Sequence, residues 1–74
     1  MNTTTAATVQ TFSISDSESV QVDRTEAGEY VVRLVIDGAT AQERWAFGSR
    51  EEVALQNGKA WASSMRVDRA WMTR

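Results

Sequence analysis

Apolar and polar side chains alternate most clearly in two stretches of this chain. Val20 and Val22 are interleaved with Ser19, Gln21 and Asp23, which predicts a strand with one apolar face. From Tyr30 to Ile36, Tyr30, Val32, Leu34 and Ile36 share one side, and Val31, Arg33 and Val35 the other. Apolar residues on both sides mark a central strand. Residues 8–15 alternate more weakly, with Phe12 and Ile14 opposite Val9. Residues 40–47 alternate Ala41, Glu43, Trp45 and Phe47 against Thr40, Gln42, Arg44 and Ala46. The breaks fall at Asp16-Ser17-Glu18, around Gly28, and at Asp37-Gly38. An Asp-Gly pair between alternating runs predicts a type I′ hairpin, whose central positions both need positive φ. Four antiparallel strands in a meander follow.

The period then changes. Ser49-Arg50-Glu51-Glu52 reads as a capping box, in which Ser49 and Glu52 satisfy each other's backbone N–H. Ala54, Gly58, Trp61, Ala62 and Met65 fall on one helical face with Leu55 at its flank. Small residues at 54, 58 and 62 let that helix lie close to a sheet. Residues 66–73 read two ways. A helix there has poor amphipathicity, whereas a strand alternates Val67, Arg69, Trp71 and Thr73 against Asp68, Ala70 and Met72. The strand is favoured. The fold class is therefore α+β: an antiparallel four-stranded meander, one helix packed on one face, and a short fifth strand at the C-terminus. Residues 1–7 read as a flexible lead, and 8–74 as a single domain.

Composition narrows the chemistry. The chain has 74 residues with no Cys, His or Pro. That excludes disulfides, thiolate zinc sites and cysteine nucleophiles, and removes the commonest general base. Lys59 with Ser63 one turn away is the only Ser–Lys arrangement, and an exposed helical lysine explains it better. Glu51 and Glu52 are neighbours accounted for by the helix start. Asp16-x-Glu18 lacks the glycine and closing glutamate of a calcium loop. Glycines 28, 38, 48 and 58 form no phosphate loop. No catalytic residue, metal or cofactor is expected, and the reading is non-enzymatic. No apolar run approaches a membrane span. The start carries neither a basic nor an apolar signal region, so a cytoplasmic location is expected.

Charge is uneven behind a net −2. Up to Phe47 seven acids face three bases; from Gly48 onward three acids face five bases. Asp16, Glu18, Asp23, Glu26 and Glu29 form the densest acidic stretch. It reads either as a solvated hairpin face or as a negative patch for a basic partner. Of three tryptophans, Trp45 and Trp61 read as core between sheet and helix. Trp71, flanked by Arg69, Met72 and Arg74, reads as packing over the sheet edge or as an interface anchor. The candidate partner-binding residues are thus Asp16, Glu18, Asp23, Glu26, Glu29, Arg69 and Trp71. Open sheet edges and small size also favour a homodimer.

In size and layout the chain resembles the small anti-CRISPR proteins carried by phages. The resemblance rests on no motif. It implies a phage-encoded inhibitor that binds a nucleic-acid-handling effector complex in the host cytoplasm, blocking nucleic-acid access or conformational change. The carboxylates between Asp16 and Glu29 would then meet Arg/Lys surfaces, with Trp71 as anchor. The alternative is a homodimeric structural or accessory module of phage or bacterial origin with no inhibitory role. A third reading, weak nucleic-acid binding through Arg50, Lys59, Arg66, Arg69 and Arg74, is disfavoured by the net acidity.

Overall fold

The computed structural model describes residues 5–72, with side chains from residue 7 onward. Strands β1 (Thr5–Ser15), β2 (Glu18–Thr25), β3 (Tyr30–Ile36) and β4 (Ala39–Arg44) form one antiparallel sheet in the order β1-β2-β3-β4, followed by helix α1 (Glu51–Met72). The α+β meander read from the alternation is the architecture found. Asp37 (φ 53°) and Gly38 (φ 80°) supply the two positive φ values of the type I′ turn. The Asp37 amide donates to Ser17 O at 2.8 Å, joining the β1–β2 and β3–β4 turns at one end of the sheet.

Register explains the core. Val20 opposes Leu34 and Val22 opposes Val32, so all four side chains point to the face α1 covers. Ile14, Tyr30, Phe47, Ala54, Trp61 and Ala62 complete the cluster. At Gly58 an added Cβ would lie 2.8 Å from Val22 Cγ2 and 3.3 Å from the Phe12 ring. The glycine therefore sets the helix–sheet spacing, and Ala54 and Ala62, both fully buried, keep it.

Polar contacts fix α1 along its length. The Tyr30 hydroxyl donates to Glu51 Oε2 at 2.8 Å at the helix start. That carboxylate disfavours a phenolate and pushes the Tyr30 ionisation above its usual range. In the middle, the Arg44 guanidinium lies 3.8 Å from the Trp61 ring centroid and donates to Asn57 Oδ1 at 3.2 Å. At the far end Arg66 Nη1 donates to Ser13 O at 2.8 Å. The helix runs parallel to β1 and β3. At 1.5 Å per residue it is about 33 Å long, whereas the seven residues of β3 span about 24 Å. Its last turns therefore project past the sheet.

Four expectations need correction. Residues 66–72 are helix rather than a fifth strand, because Arg66 and Arg69 tether them to β1 and β2 where apolar packing ends; Thr73 lies outside the described residues. Residues 5–7 are not a loose lead: Thr5 pairs with Thr25 and Ala7 with Arg24. Residues 1–4 lie outside the described residues. The capping box is not formed. Ala54 N bonds Arg50 O at 3.2 Å, which makes Arg50 the N-cap and places Glu51 and Glu52 at the first two helical positions. Finally, β4 stops at Arg44 and a turn follows, so the alternation breaks: Phe47 enters the core while Trp45 stays 40% exposed.

Candidate functional site

The structure divides the predicted site residues among three places. Asp23 lies on the sheet face away from α1, opposite Val31 in an interior strand, and is 1% exposed. Arg33 Nη1 donates to its Oδ2 at 3.1 Å. Arg33 Nε stands 2.8 Å from Glu43 Oε2 without hydrogen-bond alignment, and Asp23 Oδ1 has no partner. Asp23 belongs to an internal charge ladder and is withdrawn from any surface patch. Glu26 and Glu29 are exposed in the β2–β3 turn, beside the start of α1. That turn is closed by Thr25 Oγ1, which accepts from Glu29 N at 3.2 Å, and by Gly28 at φ 81°. Asp16 and Glu18 sit at the opposite end of the sheet, in and just after the β1–β2 turn. The acidic stretch is therefore two clusters at opposite ends, not one patch. β2 carries it from one turn to the other, a span of about 27 Å for eight residues.

Two of the predicted residues, far apart in sequence, do meet. Glu18 and Arg69 form a two-pronged ion pair. Arg69 Nε donates to Glu18 Oε1 at 2.8 Å, and Arg69 Nη2 donates to Oε2 at close range. Ser15 Oγ also donates to Glu18 Oε1, at 3.0 Å. Hydrogen bonds from Arg69 hold the Glu18 carboxyl below the usual glutamate range, against the opposing effect of partial desolvation. The same pairing raises the ionisation of Arg69 still further. Planar two-point pairing of this kind fixes direction as well as distance. It holds the last turns of α1 in place beyond the end of the apolar core.

Those turns are apolar and exposed. Val67 is 58% exposed, Trp71 70% and Met72 74%. Val67 and Trp71 are one turn apart and share the outward side of the helix. The pair is the part of the site that strand-based reading missed. The i, i+4 spacing was visible in the sequence, but only a helical tail gives it meaning. The five bases once considered for nucleic-acid contact do not converge. Arg50 and Arg66 stand about 24 Å apart along α1, Arg66 and Arg69 are bonded to the sheet, and Arg74 lies outside the described residues.

Beside this end, on the other sheet face, lies an open depression of about 560 Å³ lined by Ser13, Ser15, Ser17, Ser19, Asp16 and Asp37, among others. Among the described residues no group of three acids is placed to hold a metal ion, and no helix is long and apolar enough to cross a membrane. No family model, curated protein or solved structure matches this chain.

Proposed function

We propose that this chain is a non-enzymatic protein-binding domain that docks through the last turns of α1. The observation behind this reading is the exposure of Val67, Trp71 and Met72 on a helix end that Arg66 and Arg69 tether to the sheet. Tryptophan beside arginine is the combination most enriched among residues that dominate binding energy. A pre-positioned helix end also loses less freedom on docking than a loop would. The narrower form of the reading is an inhibitor of a nucleic-acid-handling effector, as in the phage anti-CRISPR proteins that the chain resembles. Exposed Asp16 beside the docking end, and Glu26 and Glu29 at the far turn, would then meet basic surfaces at two separate places.

The test is isolation of partners from a host lysate on the immobilised chain, at low and raised salt, beside Trp71→Ala. The native chain should retain one stoichiometric protein that Trp71→Ala loses. For the narrower form, that protein binds nucleic acid and its retention falls steeply with salt. Equal retention by Trp71→Ala and by Val67→Ala would remove this site from consideration. A second reading, a homodimeric module, is supported by the order of charges along α1.

A further inference from the structure

The outward side of α1 carries an apolar stripe longer than its projecting end. Val53, Ala60 and Val67 recur every seven residues, and all three are exposed. Seven residues fall about 20° short of two full turns, so the three stay on one side of the helix. Trp71 extends the stripe by one turn. Charged residues flank it in a definite order. One flank carries Glu52 near the start, Lys59 in the middle and Arg66 near the end. The other carries Arg50 at the start and Asp68 near the end. Each flank therefore has opposite charges at its two ends.

That order is self-complementary in one direction only. Two copies of α1 laid antiparallel about a two-fold axis at Ala60 bring Val53 of one against Val67 of the other. Glu52 then faces Arg66 of the copy, and Arg50 faces Asp68. A parallel pair would instead set Glu52 against Glu52 and Asp68 against Asp68, with like charges opposed. Lys59 meets its own copy near the axis in either case and does not discriminate. Ala60 at the crossing point permits close approach of the two helices. A two-fold contact of this kind uses the same surface twice, as closed dimers do.

We infer that the partner seated on α1 is a second copy of this chain, held by an antiparallel α1–α1 contact centred on Ala60. This rests on the protein-binding reading above and names its partner. The contact from residue 53 to residue 67 runs about 21 Å. It leaves both sheets on the outside, with the open β4 edges away from the axis.

The absence of cysteine makes the test clean. Single cysteines are placed at exposed stripe positions in the full chain, and folding is checked by circular dichroism. Sedimentation should show a dimer. Ala60→Cys should cross-link to itself on oxidation or with a short bis-maleimide. Val53→Cys mixed with Val67→Cys should cross-link to each other, and each alone should not. Asp68→Arg should weaken the dimer by about two- to fivefold per ion pair, and adding Arg50→Asp should restore it. A monomer at every concentration overturns the proposal, as does a dimer in which Val53→Cys links to itself. If the chain is monomeric yet Trp71→Ala still loses a protein from lysate, only the self-association falls. If Trp71→Ala changes neither, the docking site falls with it.

Discussion

The two halves of α1 are held by different forces. From Glu51 to Ala62 the helix buries Ala54, Gly58, Trp61 and Ala62 against β1, β2 and β3. Beyond Met65 it buries nothing fully. It is kept in place by Arg66 on Ser13 and by Arg69 on Glu18. In the first half, residue identity follows from packing: a glycine where Val22 and Phe12 come close, and a tryptophan under Arg44. In the second half, packing accounts for neither Val67 nor Trp71. Apolar residues that folding does not require, held on a rigid tether, are the reason to place binding there.

The largest expected effect breaks the first half. Trp61→Ala removes a side chain that is only 8% exposed, and with it the platform for Arg44. A loss of about 3–5 kcal/mol is expected, a large share of the total stability of a small domain. Thermal and urea unfolding should show a sharply lowered transition or none.

Gly58→Ala comes next. Alanine gains about 1 kcal/mol of helix propensity, but its methyl would stand 2.8 Å from Val22 Cγ2. Overpacking of a filled core costs about 1–3 kcal/mol. A net loss of about 1 kcal/mol is expected, read as a lower urea midpoint with an unchanged slope. A stabilised variant would mean that the helix–sheet spacing is slack.

The second half should respond to pH instead. The Glu18 carboxyl is held below its ordinary range by Arg69. Its contribution is therefore present above the unfolded glutamate pKa, about 4.3. It is lost as pH falls through the lower, folded value. Acidification should release the last turns of α1 before the core unfolds, seen as partial loss of helical circular dichroism while the fluorescence of buried Trp61 persists. Glu18→Gln should show that looser helix end already at neutral pH and abolish its pH dependence.

The sheet was legible because its signals are local. The alternation in Tyr30–Ile36 and the Asp37-Gly38 turn specify strand and hairpin without help from elsewhere. The first half of α1 was legible for the same reason, through small residues at 54, 58 and 62. The misread parts depend on long-range contacts. Residues 66–72 look poorly amphipathic because their attachment is ionic, with a partner 51 positions away in Glu18. Asp23 looked like surface charge because nothing in the sequence shows that Arg33 will cover it. Trp45 looked like core because the alternation through residue 47 conceals the end of β4 at Arg44. Of the predicted site, the pairing of Glu18 with Arg69 beside Trp71 survives as one place, and the far acids Glu26 and Glu29 do not join it.

The smallest effect on stability is expected at Trp71, and it tests the central claim most directly. The urea unfolding of Trp71→Ala is compared with that of the native chain, at a concentration dilute enough that self-association adds nothing. If the end of α1 is kept for contact rather than for folding, the two curves differ by no more than about 0.5 kcal/mol, while Trp61→Ala collapses in the same experiment. A loss at Trp71 comparable to that at Trp61 would contradict the account, because it would make the exposed helix end part of the fold.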